Sequence, residues 1–253
     1  MTRDRRAASP WSFDPARLAA HETAAWVAYY RRDWRGVLAS AVGLVHEGFG
    51  LGRLATVRGA WLVLRANRAW APYPANDPDA ARRLMSSFYV SVIRAHGLAL
   101  DADEAAALEV AWWREHRILQ RERTEDDEGA LVEALTRLYA YVYSRPPETV
   151  REAARHRALA MRVSDAWVAD GCHPGDPRLG VELAELETSY RSLLAAVGHT
   201  DFSPRGSTNR GLPDGSSGPV RTPIKAGSVG LRGPVDGSAS RHQRSVLRNG
   251  TVQ

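Results

Sequence analysis

Five residues have the types and spacing that chemistry could use: Glu22, Glu109, His116, Glu152 and His156. In the stretch EVAWWREHR, Glu109 and His116 stand two helical turns apart and share almost one azimuth. They lie about 10 Å apart along the axis, too far to hold one metal ion unless both side chains converge. They can flank a ligand or serve two ions. Glu152 and His156 are one turn apart, a spacing that lets two side chains meet on one ion or pass a proton. Each pattern has a plainer alternative. A Glu and a His one turn apart also occur on solvated helix faces, and Glu109 and His116 can hydrogen-bond to neighbouring helices while Trp112 and Trp113 fill the core.

Glu22 poses the sharpest question. Leu18, Ala25, Trp26 and Tyr29 form an apolar stripe, and Glu22 falls near its middle. A carboxylate there must be paired, hydrogen-bonded, protonated or metal-bound, because burying an isolated charge is costly. The structural alternative is a contact with one of the many arginines inside a bundle. Taken together, the five residues are candidate metal ligands, with a di-metal centre as the cofactor such a set implies. Trp26, Tyr29, Trp112 and Trp167 are the expected lining of an internal polar pocket. On the helix that carries Glu109, the inward face is defined by Leu108, Trp112 and Leu119, with Trp112 nearer its centre than Trp113.

The elements that must position these residues are helices. Asp14-Pro15 opens the first, which runs to about Asp33, with Asp as N-cap and Pro at the first helical position. A second covers about Arg35 to Glu47 and ends in a glycine cluster; a third covers about Arg53 to Trp70 and stops before Pro72. A fourth runs from about Pro78 to His96, with Gly97 just past its end. Asp101 and Glu104 make a capping-box pattern for the fifth, which fades in the charged run RERTEDDEG. A sixth spans about Ala130 to Tyr143, a seventh opens at Pro147 and ends at Gly171, and an eighth opens at Asp176-Pro177 and ends before Gly198. In the eighth, Leu179, Leu183, Leu186, Tyr190, Leu193 and Val197 recur at steps of four and three; Leu131, Leu135, Leu138 and Val142 repeat that pattern in the sixth. Period-two alternation is absent. The fold class is all-α: a single bundle of about eight helices followed by a disordered C-terminal tail. Residues 1–13 read as a flexible segment, 14–198 as the helical domain and 199–253 as a tail rich in Gly, Ser and Pro that cannot bury enough apolar surface to offset its ordering entropy.

Charge distribution bears on partners. The net charge is +5, but residues 1–198 carry 26 basic and 26 acidic side chains, so the excess lies in the tail. A neutral folded part gives no field to attract a phosphate backbone, and no nucleic-acid partner is expected. Cys172 is the only cysteine, which excludes an intrachain disulfide and, beside His173 alone, makes a poor zinc site. The N-terminus has arginines but no apolar core of a signal peptide, and the apolar stretch ending at Val45 is too short to span a bilayer. A soluble, cytoplasmic protein is the expectation, with a homo-oligomer left open. RANRAWAPYPANDPD, around Trp70 and Tyr73, reads as a packed strut or a lid. There is no GxGxxG, Walker loop, HExxH or GxSxG; HETAA at His21 departs from HExxH at its last position.

The segments HETAAWVAYYRRDW, GAWLVLRANRAWAPYPANDPDAARR and EVAWWREHR resemble an uncharacterised all-helical family of GC-rich, actinobacterial-type bacteria over about residues 15–198. That resemblance implies one helical domain and no particular activity. A looser similarity is to helical-bundle metal oxidases of the ferritin-like and haem-oxygenase-like kinds, which gather Glu and His from several helices around two metals. It implies an oxidative role for the five candidates, although the Glu-x-x-His spacing of the ferritin-like proteins is absent. The expected function is an internal polar pocket that binds a small molecule or metal. The alternatives are an interaction module using exposed aromatics, and peripheral membrane association through the second and third helices.

Overall fold

The computed structural model describes residues 12–122 and 128–198. These residues form eight α-helices: α1 Pro15–Tyr30, α2 Trp34–Phe49, α3 Arg53–Trp70, α4 Pro78–His96, α5 Ala102–Glu122, α6 Glu128–Tyr143, α7 Pro147–Ala169 and α8 Arg178–Gly198. The all-α expectation holds. The tail expected to be disordered lies outside the described residues, as do residues 123–127 of the run in which α5 was expected to fade; α5 reaches Glu122 within that run.

Local chemistry explains most boundaries. Asp14 accepts hydrogen bonds from the backbone N–H groups of Ala16 and Arg17, and Asp77 from that of Ala80, so two of the X-Pro starts are true caps. Gly97 closes α4 at φ 63°, in the left-handed region where a Cβ would be strained. The capping box at α5 is only half formed. Asp101 accepts from the N–H groups of Asp103 and Glu104, but its own N–H donates to the Tyr141 hydroxyl at 2.9 Å rather than to Glu104. At the N-terminus, Phe13 is buried and meets Tyr190 edge-on at 6.1 Å, so the packed domain begins within the segment expected to be flexible.

Each helix packs against its neighbours in the chain, and α8 returns against α1. The result is a ring of helices rather than a bundle with one central helix. The stripes read from the sequence face inward: Leu131, Leu135, Leu138 and Val142 of α6 are buried, as are Leu186, Tyr190, Leu193 and Val197 of α8. One glycine is required by packing. A Cβ on Gly43 of α2 would stand 2.4 Å from the imidazole of His21, so α1 and α2 can approach there only with glycine. Polar side chains, described next, span the interior between helices that are not neighbours in the chain.

Candidate functional site

The ring encloses a pocket of about 1290 Å³ to which all eight helices contribute. Its walls are largely aromatic and aliphatic. Trp26 and Tyr29 of α1, Trp70 of α3, Tyr89 of α4 and Trp112 and Trp113 of α5 all face it. Polar groups interrupt this wall in a few clusters, which is the usual composition of a small-molecule site.

The first cluster is built on Glu22. Its side chain is 3% exposed, and Arg157 of α7 donates to its Oε1 at 2.5 Å. The Tyr190 hydroxyl of α8 donates to its Oε2. Arg157 also reaches the Tyr139 hydroxyl of α6 at 3.1 Å, and its guanidinium sits 4.9 Å from the Trp112 ring centre. Burial works against the Arg157 charge, but Glu22 and the surrounding hydroxyls outweigh it and hold the guanidinium protonated well above its ordinary range. Burial also raises the Tyr190 and Tyr139 phenols, so both stay neutral, Tyr190 donating to Glu22 and Tyr139 accepting from Arg157. Glu22 is thus paired with an arginine, the structural alternative raised by its place in the stripe.

Glu109 stands on the other side of Arg157. Its Oε2 accepts from the Tyr89 hydroxyl at 2.8 Å, and its Oε1 accepts from the indole N–H groups of Trp112 at 3.1 Å and Trp113 at 3.3 Å. The two tryptophans are equally buried, at 8% exposed each. The ordering expected from the helical wheel, with Trp112 more central, is therefore corrected: both rings are needed to cover one carboxyl. Burial raises the Glu109 carboxyl above its ordinary value, although Arg157 and the three donors oppose that rise.

His116, two turns further along α5, does not share Glu109's partners. Its Nε2 lies 3.1 Å from Oδ2 of Asp165 on α7, and Gln120 donates to Oδ1 of the same aspartate at 2.7 Å. Gln120 also reaches the Tyr30 hydroxyl of α1 at 3.3 Å. Asp165 fixes the imidazole and leaves Nδ1 as the nitrogen not engaged by it. Such a dyad can accept or hand on a proton.

The structure brings Glu22, Glu109 and His116 to one pocket wall, but not Glu152 and His156. Glu152 is 57% exposed and forks with Arg155, whose hydrogen bonds hold its carboxyl down at about 2. His156 bridges Glu152 and Glu185 on α8, at 2.6 Å from the latter. Among the described residues, no three His, Cys, Asp or Glu side chains gather as a metal set. Trp167 also leaves the predicted lining. It is wholly buried behind Tyr30, with its ring 6.4 Å away, and donates to the His173 carbonyl at 2.8 Å. Trp26, Tyr29 and Trp112 do line the pocket. The Trp70–Tyr73 segment is tied to α5 as a strut: Arg117 donates to the Trp70 carbonyl at 2.9 Å and lies 4.2 Å from that ring's centre.

Two important residues were not singled out from the sequence. Arg157 lies seven residues after Val150 and four before Met161, on the buried face of α7. Glu182 lies three after Leu179 and four before Leu186, within the α8 stripe, and is wholly buried. Its carboxyl sits in electrostatic reach of the Ser164 and Thr23 hydroxyls, yet none of these oxygens makes an aligned hydrogen bond. Burial pushes the Glu182 carboxyl up to about 8; the nearby charges of Glu22 and Asp165 add to the rise, while Ser164 and Thr23 oppose it. The stripe geometry alone could have flagged both positions. No protein-family model, no curated protein and no solved structure matches the chain.

Proposed function

We propose that the protein binds a small, largely apolar organic molecule inside the helix ring. The observation that carries this reading is the pocket itself: about 1290 Å³, walled largely by aromatic and aliphatic side chains from all eight helices, with its polar groups gathered in clusters. The Glu22–Arg157–Tyr190 and His116–Asp165–Gln120 clusters supply orienting polar contacts and keep the cavity wettable when empty. Phenylnaphthylamine, a neutral dye that brightens in apolar surroundings, is the probe. Saturable one-to-one binding is expected, and Ala25→Trp or Leu119→Trp, which fill the pocket from its wall, should weaken it with the fold intact by circular dichroism. Binding that both variants leave unchanged would remove the reading.

A second reading is favoured by one exposed face. Leu54, Val57 and Trp61 of α3 are 89%, 58% and 49% exposed, at helical spacing. At about 100° per residue, Arg58, Arg65 and Arg68 share that face, and α3 contains no acidic residue. A basic face with a tryptophan and apolar side chains suits the surface of an anionic membrane. No helix among the described residues is long and apolar enough to cross one. Co-sedimentation should be stronger with vesicles containing phosphatidylglycerol than with phosphatidylcholine alone, and Trp61→Ser should reduce it. Equal recovery in the supernatant with both vesicles would end this reading.

A further inference from the structure

Six arginines line the pocket, and they fall into two groups. Arg157 is neutralised by Glu22, Arg162 by Glu128, and Arg178 by Asp170 and Asp176. Arg32, Arg117 and Arg121 have no carboxylate partner among the described residues. Arg117 and Arg121 share the Tyr73 ring, and Arg32 is linked to them through Tyr29. The guanidinium carbons of Arg121 and Arg117 lie 3.6 Å and 5.5 Å from the centre of the Tyr73 ring. That of Arg32 lies 5.8 Å from the Tyr29 ring, and the Tyr29 hydroxyl feels the charges of both Arg117 and Arg32.

The arrangement is unfavourable as it stands. Arg117 and Arg121 are one turn apart on α5, where like charges repel. Nη1 of Arg117 is buried without a hydrogen-bond partner, while Nη2 is held by the Trp70 carbonyl. Burial, and then the Arg121 charge, lower the affinity of Arg117 for its proton, although the neighbouring Tyr29 and Tyr30 oppose this. Stacking on Trp70 and Tyr73 fixes the planes of these side chains, so their N–H groups are already oriented. An oxyanion placed among them would satisfy the idle donor and relieve the repulsion.

We propose that the pocket's ligand is an anionic amphiphile: its apolar body lies between the aromatic walls, and its oxyanion is held by Arg117, Arg121 and Arg32. This deepens the proposed function and rests on the pocket being a binding site. Burial of the ligand's apolar body supplies affinity, and the arginines supply orientation and selectivity for a negative end.

Anilinonaphthalene sulfonate and phenylnaphthylamine share one aromatic skeleton and differ by the sulfonate, so the pair isolates the anion. The sulfonate is expected to bind about tenfold or more tightly than the neutral dye at low salt, the scale of one or two charge-assisted hydrogen bonds. Salt should erode that advantage and leave the neutral dye unaffected. Arg121→Met and Arg117→Met should each remove most of the difference between the dyes; Arg121 is exposed, so its variant should leave phenylnaphthylamine binding unchanged and serves even if Arg117→Met does not fold. Decanoate and monodecyl phosphate should displace the sulfonate dye at concentrations about tenfold or more below those decanol needs, the tighter competitor naming the oxyanion. If the neutral dye binds and the sulfonate shows no advantage, or if the arginine variants weaken both dyes alike, this proposal is overturned while the pocket reading stands. If neither dye binds, both fall.

Discussion

Glu182→Gln isolates the buried carboxyl of α8 with little change of shape. The group ionises near 4.5 in an unfolded chain and at about 8 in the fold. Between those values the folded state keeps a proton that the unfolded state has released. Stability contributed by the neutral carboxyl is therefore fully present below about pH 4.5, falls as pH rises, and levels off above about pH 8. The window is about 3.5 pH units wide, and at about 1.4 kcal/mol per unit the ionised form costs on the order of 5 kcal/mol. Glutamine cannot ionise, and its amide can still face the Ser164 and Thr23 hydroxyls. Urea denaturation of both proteins at about pH 5 and about pH 9 gives the assay, because groups common to the two cancel in the difference. The variant should gain roughly 4 kcal/mol on wild type between those two conditions, most of the window. A difference that stays constant with pH, or that shrinks as pH rises, would refute the assignment of a neutral buried carboxyl at this position.

Two further outcomes follow from the pocket wall. Trp112→Ala and Trp113→Ala should destabilise the protein by about the same amount, each roughly 3–5 kcal/mol, because both rings are buried alike and both serve Glu109; a clear inequality in urea melts would restore the single-face view of α5. Glu22→Gln should cost about 3–5 kcal/mol by stranding Arg157, whereas adding Arg157→Met should recover much of that loss; equal stability of the single variant and wild type in calorimetric melts would show that the pair holds nothing together.

Punctuation was legible because it is local. Asp14-Pro15, Asp77-Pro78 and Gly97 fix helix ends through bonds that reach only a few residues, and α3 and α4 fall at the expected limits. Side-chain direction was legible where the buried face is narrow, as in α8; in α6 the leucine stripe is inside, but Val132, Ala134, Thr136 and Tyr139 beside it are buried as well. It failed for α5, which packs on α4 and α6 and also faces the ring interior, so two adjacent tryptophans roughly 100° apart are both covered. Partners were the hardest to read. The stripe placed Glu22 inside, but its arginine lies 135 residues away on a helix that meets α1 only because the ring closes. Glu152 and His156 show the converse: perfect helical spacing, satisfied by Arg155 and Glu185 on the outer surface, with no bearing on the interior. Glu182 carried a usable signal, a carboxylate within a leucine stripe, which the strength of the apolar pattern masked.

The two kinds of polar group on the pocket wall do different physical work. A ring in which helices pack mainly on their chain neighbours leaves an interior that side chains alone do not fill. Glu22–Arg157, Tyr190, and His116–Asp165 with Gln120 reach across it and link α1, α5, α7 and α8. The Glu22–Arg157 charges compensate each other, so removing one of them exposes a buried partner and lowers stability whether or not a ligand exists. Arg117 and Arg121 make stacking contacts with the Trp70–Tyr73 strut and leave their charge uncompensated by any described carboxylate. Arg117 also holds the Trp70 carbonyl, so its loss reports on the strut as well as on the anion, whereas replacing exposed Arg121 should cost little stability and change anion affinity greatly. Variants in the spanning clusters therefore report on the ring, and variants at the rim report on what the ring holds.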